Sequence, residues 1–429
     1  MAETQHKKTA RGALLLAVVL LASLLGGCGA ATGSSSGGAA ASQPPAGASQ
    51  PAVTATAQPA ATGDEYRAAW ITYLEYQTMD LSTEEAFRSG IATAFDNLQA
   101  MGITTVIAHV RPFGDALYAS SIFPWSHLLT GTQGQDPGYD PLAVMVQQAH
   151  SRGMRLEAMV NPYRVRGSAT TPPQLAPQNP AAQYQADPAK ADWVIAVGDG
   201  LYYNPGIPEV QQLIVDGVRE ICENYEVDGI QFDDYFYPEG ADDSFDAAAY
   251  AQYANGQPLG AWRRQNVNTL VQQVYAAVKA ARPAATFGIS PQGNNDNNYN
   301  TQYSDVALWM SDGGYVDYVM PQIYWGFDYR TKSGRDDYAF ANNLQYWLSL
   351  PRADAVKLYI GLGAYRIGVG DGGSNDTAEW SSGENLAKQV AALRSAGADG
   401  YALYSYRWLF ANTQPTAAAE VEALTAANQ

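Results

Sequence analysis

Cysteine and histidine are scarce, with two Cys and four His in 429 residues. Two cysteines set no disulfide framework, and no His-x-x-x-His or Cys-x-x-Cys spacing suggests zinc, so no metal or organic cofactor is expected. Charge is sparse and lopsided: charged residues make up 16% of the chain, and 25 bases against 42 acids give a net charge of −17. The first 27 residues carry three of the bases and one acid, so the remainder stands near −19. Such a field repels phosphate backbones and densely carboxylated polymers, which excludes nucleic acid as a partner. The apolar run near the start, Ala13–Leu25, is shorter than the ~20 residues a membrane span requires.

That run instead has the form of a secretory signal. Lys7, Lys8 and Arg11 precede it, and it closes on Leu25-Gly26-Gly27-Cys28. The closing tetrapeptide resembles a bacterial lipobox, which implies cleavage after residue 27, lipidation of Cys28 and an extracytoplasmic protein tethered by acyl chains. Residues 28–63 are that Cys followed, over 29–63, by Ala, Gly, Ser, Pro, Gln and Thr with a single Val and no charge, the composition of a flexible spacer. Residues 64–429 hold the apolar pattern of a folded body, and Cys222 falls there as an apolar filler.

Within the body, short β-rich runs alternate with helical stretches, the pattern of a parallel sheet with helical crossovers. Eight strands are expected near Tyr66–Thr72, Thr104–Val110, Arg155–Asn161, Val227–Asp233, Thr286–Ser290, Val316–Ile323, Lys357–Ala364 and Gly400–Ser405. Eight such units in a chain of this length predict one (β/α)8 TIM barrel. The segments Arg164–Tyr203 and Phe236–Ala261, after strands three and four, are expected as long loops over its mouth.

Reactive groups of a barrel stand at the C-terminal ends of its strands, and those ends are polar and aromatic here. Asp233 and Asp234 end strand four; neighbouring carboxylates repel, and the repulsion raises one pKa toward that of a proton donor at neutral pH. The pair also fits the cap of a following turn. Alternation along a strand sends the two side chains to different faces. Arg111 and Asp115 flank a rigid Pro112-Phe113-Gly114 turn and fit either a ligand clamp or a mutual ion pair. Asn161, Tyr163 and Arg164 end strand three, Gln322, Tyr324 and Trp325 strand six, and Tyr365 strand seven. The chain has 28 Tyr and 9 Trp, and these aromatic ends suit stacking against the flat C–H faces of sugars, or plugging the barrel top. His109, inside an apolar strand, reads as a hydrogen-bonded core histidine rather than a base.

At these residues the chain resembles the glycosyl-hydrolase-like family 10, bacterial barrels that include septal glycosidases acting on peptidoglycan strands. The resemblance rests on Tyr66-Arg67-Ala68-Ala69-Trp70, Val110-Arg111-Pro112-Phe113-Gly114-Asp115 and Asn161-Pro162-Tyr163-Arg164. It continues in Val227 to Pro238, Trp262-Arg263-Arg264-Gln265-Asn266, Gly288-Ile289-Ser290-Pro291 and Pro321-Gln322-Ile323-Tyr324-Trp325, in family order. It implies a glycoside hydrolase with the strand-four aspartates in its active site. Where family members carry Phe, Gly or Ile after Ser290-Pro291, this chain has Gln292 to Asn298, a polar loop.

A simple pair of carboxylates on opposite walls is not supported, because strands five, six and seven end without a Glu. Similarity to glycoside hydrolase family 18 implies another scheme: Asp233 or Asp234 as general acid, the substrate's N-acetyl group as nucleophile, and Tyr324 steadying the intermediate. Asp115 and Glu75 are reserve candidates for a second carboxylate. The substrate expected is a peptidoglycan glycan strand. Hydrolysis of another extracellular polysaccharide, or sugar binding without catalysis, are the alternatives.

Overall fold

The computed structural model describes residues 65–429 apart from 169–171, 173, 374 and 375. The expected signal, lipidated Cys28 and spacer lie outside the described residues. All eight β-rich runs form strands, and all are parallel: β1 Tyr66–Ile71, β2 Thr105–Arg111, β3 Arg155–Val160, β4 Gly229–Phe232, β5 Thr286–Ile289, β6, β7 Lys357–Leu362 and β8 Gly400–Leu403. Strand β6 is in two pieces, Tyr318–Val319 and Gln322–Ile323, because Pro321 has no N–H to give a ladder. Its pieces pair with β5 on one side and β7 on the other, and β8 pairs with β1, which closes a (β/α)8 barrel.

Strand alternation sorts the core into two regions. Outward side chains such as Leu156, Ile230, Phe287 and Ile360 pack with the surrounding helices, while Tyr66, Ala68, Trp70, Ile107, Met159, Tyr318, Met320 and Ala402 fill the barrel itself. Each large side chain removed from water contributes about 1.5–3 kcal/mol, so this double core is the main source of stability. Helix Pro208–Asn224 shows the outer logic. Pro208 sits in its first turn, where a missing N–H is free of cost, and Val210, Ile214, Val218 and Ile221 line its buried face at helical spacing.

The barrel floor carries an acid. Glu157 is buried, and it accepts from the Tyr318 hydroxyl at 2.5 Å and from Thr286 Oγ1 at 3.3 Å. Gly288 makes room for this arrangement, since a Cβ there would fall 2.0 Å from the Tyr318 ring. Burial, opposed by Arg155, holds the Glu157 carboxyl above its ordinary range.

Both long excursions over the mouth have secondary structure of their own. Strands Arg164–Arg166, Val194–Val197 and Gly200–Tyr203 form an antiparallel sheet after β3. After β4, helix Ala247–Tyr253 is anchored by Asp246, whose carboxylate receives Arg263 Nη2 at 2.6 Å and Nε at about the same reach, 3.0 Å. Both partners are fully buried, and Arg263 also gives hydrogen bonds to Tyr303 Oη and the Asp242 carbonyl. No helix among the described residues is long and apolar enough to cross a membrane.

Candidate active site

Inward parity in β4 runs through Gln231 to the next residue but one, so Asp233 reaches the mouth on the barrel axis side, just past the strand end. Its Oδ1 accepts from Gln322 Nε2 of β6 at 2.9 Å and from the Asp234 backbone N–H at 3.0 Å. Gln322 is itself fixed by a second bond, from the same nitrogen to the Ser290 carbonyl at 3.0 Å. Asp234 is buried, and its Oδ2 accepts from Gln302 Nε2 at 3.2 Å. Burial first, then the adjacent Asp234 carboxyl, holds the Asp233 carboxyl well above the usual carboxylate range.

Three tyrosines surround this acid. The Tyr324 ring meets Tyr365 edge to face at 5.5 Å and Tyr404 at 5.8 Å, and Tyr365 meets Tyr404 at 6.2 Å. Burial, Tyr404 and Asp233 push the Tyr324 hydroxyl well above its ordinary value, so it stays a neutral donor. Arg164 supplies the neighbouring positive charge: its guanidinium lies 4.9 Å from the Phe113 ring and 5.5 Å from Tyr235, and Nε donates to the Pro112 carbonyl at 3.0 Å. Trp325 stands further out on the rim. Its ring stacks on Tyr338 at 5.2 Å and 28°, beside Tyr329 at 5.8 Å. Its loop is fastened by Asp371, which accepts from the Gly326 N–H at 2.8 Å, and Glu379, which accepts from the Asp328 N–H at 3.1 Å.

Other expected site residues are elsewhere. Arg111 was expected at a ligand and is instead buried against the outer layer, 4.4 Å over the Phe123 ring. A bulge explains this: His109 pairs with Met159, but Arg111 pairs with the next residue, Val160, so the extra residue turns Arg111 to the outward face. Asp115 is wholly buried and is not paired with Arg111. Its Oδ2 accepts from His127 Nδ1 at 2.8 Å and Gln133 Nε2 at 2.9 Å, which ties the β2 loop together. Glu75 is likewise consumed, with Oε2 bound by Thr72 Oγ1 at 2.6 Å and Oε1 by Ser405 Oγ at 2.5 Å. Neither reserve carboxylate is open to a substrate. Tyr163 is buried under the β3 excursion, and Asn161 is buried with its amide on the Pro112 carbonyl at 3.4 Å. His109 is buried and, with Arg164 nearby, pushed well below its ordinary pKa, so it is neutral. Neither of its ring nitrogens has a hydrogen-bond partner among the described residues.

The sequence places Tyr404 at the polar, aromatic end of strand eight without a role, and gives Gln302 none. Gln302 follows an Asn-rich stretch and carries no signal of its own. Tyr404 was legible through parity, two residues beyond the inward Ala402. No three His, Cys, Asp or Glu side chains among the described residues converge as metal ligands do.

A family model described as glycosyl hydrolase-like 10 matches residues 65–382, which include every strand-end group described above except Tyr404 and Ser405. The chain belongs to that family. Two curated glycosyl hydrolases are among its relatives. YngK of Bacillus subtilis (strain 168) is 38% identical over 318 residues, 70% of this chain and 59% of its own length. DigH of Escherichia coli (strain K12) is 38% identical over 296 residues, 64% of this chain and 65% of its own. The matched part is thus under two thirds of either relative. Among solved structures, the PgaB (BpsB) glycoside hydrolase domain of Bordetella bronchiseptica superposes with a TM-score of 0.58 at 15% identity, over 84% of this chain and 99% of that one. Alpha-L-fucosidase isoenzyme 2 of Paenibacillus thiaminolyticus gives 0.50 at 12% identity, over 85% and 49%. At such identities these likenesses establish the barrel.

Proposed function

We propose that this glycosyl hydrolase-like 10 barrel cleaves glycosidic bonds of an extracellular glycan, the peptidoglycan glycan strand, from a lipid anchor at Cys28. The observation that carries the reading is the state of Asp233. A carboxyl at the mouth, with Oδ1 already committed to Gln322 and the Asp234 N–H and a pKa held high by burial, keeps a proton on a group aimed at substrate. That is the requirement for protonating a leaving glycosidic oxygen.

The same geometry leaves neither reserve carboxylate free, since Glu75 and Asp115 are both buried and hydrogen-bonded elsewhere. The scheme that needs none uses the substrate. The acetamido carbonyl oxygen attacks the anomeric carbon as Asp233 gives its proton to the departing oxygen; water then attacks that carbon, gives a proton back to the Asp233 carboxylate and opens the oxazolinium ring. Asp234 keeps the proton on Asp233 by repulsion, and Tyr324, a neutral donor, steadies the acetamido group. A mouth lined by Tyr324, Tyr365, Tyr404 and Trp325 suits sugar faces. The net charge of −17 disfavours polymers densely decorated with carboxylate.

Rates on matched N-acetylated and de-N-acetylated glycan oligomers test the scheme. Turnover confined to the acetylated oligomers is expected, and equal rates on both would overturn substrate assistance.

A further inference from the structure

Tyr299 and Tyr346 are the large aromatic side chains most open to solvent among the described residues, each 42% exposed. Both border the polar segment that follows β5. Tyr299 lies in its short helix Asn295–Asn300, and Tyr346, on helix Phe340–Ser349, accepts from Asn295 Nδ2 at 3.0 Å. The rings are held in place before any ligand arrives. Arg264 covers one side of Tyr299 at 4.0 Å and donates to its carbonyl at 3.2 Å, and Tyr346 packs at 5.9 Å edge to face on Trp347. Fixed aromatic surfaces bind at a lower entropic cost than mobile ones.

This surface is continuous with the mouth. Gln292 bridges Gln322, the residue that holds Asp233, and Trp347 Nε1 donates to the Gly293 carbonyl at 3.1 Å. Gly293 also permits the close approach of Trp325, whose ring would stand 2.8 Å from a Cβ there. Around the two rings the exposed side chains are amides, Asn297, Asn300, Asn342 and Gln345, with Asp296. Ring faces with amide donors and acceptors suit the hydroxyl and acetamido groups of a glycan.

We propose that Tyr299 and Tyr346 form a distal glycan-binding strip, which holds sugar residues of the polymer beyond those at the cleaved bond. This rests on the glycosidase reading only for the identity of the polymer, because binding on the strip needs no chemistry. Its consequence is a preference for long chains: affinity rises with glycan length past the mouth, while short oligomers ignore the strip.

The test uses the full chain with Tyr299→Ala and Tyr346→Ala together, and with Tyr299→Phe and Tyr346→Phe together as the control that keeps both rings. Binding to peptide-stripped glycan strands is measured in an Asp233→Asn background, and KM on long and short oligomers in the active background. The strip predicts about tenfold weaker binding and higher KM on long chains for the alanine pair, unchanged kinetics on short oligomers, and near-native behaviour for the phenylalanine pair. Native affinity for long strands in the alanine pair, with an unchanged melting temperature, would overturn it. Length-dependent binding without hydrolysis by the active protein would retain the strip and remove the glycosidase reading, whereas hydrolysis indifferent to the alanine pair would do the reverse.

Discussion

Gln322 on β6 reaches across the mouth to Asp233 beyond β4 and donates to its Oδ1 at 2.9 Å, while the same amide nitrogen is tied to the Ser290 carbonyl at 3.0 Å. One side chain thereby links three strand ends and sets the direction of the acid. On the proposed function Oδ2, the oxygen Gln322 leaves free, is the one that carries the proton.

Gln322→Ala removes that brace without touching the acid. A carboxyl free to turn loses its alignment, and a misplacement of about 1 Å is worth roughly 10²-fold in rate. The expected result is a kcat lower by about that factor with an unchanged fold. The alkaline limb of the pH profile should also move upward, because the lost N–H favoured the charged form of Asp233. A native kcat and pH profile in this variant would remove Gln322 from the positioning of the acid.

The raised pKa of Asp233 makes a second prediction, on stability. A carboxyl whose folded pKa exceeds its unfolded value opposes folding, so its penalty is absent below the ordinary carboxylate range, grows as pH rises from there to the folded pKa and is constant above it. On the proposed function Asp233→Asn should abolish activity, and it should raise the melting temperature at neutral pH, by about 2–4 °C for each kcal/mol recovered, with the gain vanishing below about pH 4. Melting curves of both proteins across pH check this, and a destabilised variant at pH 7 would contradict the burial argument.

Asp246 and Arg263 test the architecture apart from the chemistry. Removing one partner of a fully buried pair strands the other charge, and Arg263→Met should cost about 3–5 kcal/mol in denaturant unfolding. Asp115→Asn should also lower stability, by weakening the link to His127, and leave the pH dependence of kcat as it was. A shifted profile for Asp115→Asn would restore that residue as a candidate in the reaction.

The fold was legible because barrel strands buried on both sides are short apolar runs, and each of the eight stood out between helices with 3.6-residue spacing. Even the break in β6 was written in the sequence as Pro321, although the segment Val316–Ile323 reads as one strand. Side-chain placement at the mouth was legible where parity alone decides direction, as for Asp233, Gln322 and Tyr324. It failed at Arg111, where a single bulged residue reversed the parity, and at Asp115 and Tyr163, whose polar atoms are buried by excursions that no local pattern foretells. Gln302 is the opposite case, brought to Asp234 by a loop whose path depends on the whole β5 to β6 connection.

The most direct test of the central claim is mass spectrometry of the products formed when the soluble body, residues 64–429, meets intact and peptide-stripped peptidoglycan strands, alongside its Asp233→Asn and Asp234→Asn variants. Release of muro-oligosaccharides by the unaltered protein, and none by Asp233→Asn, is the predicted result. Equal release by Asp233→Asn, or none by the unaltered protein on either substrate, would contradict it.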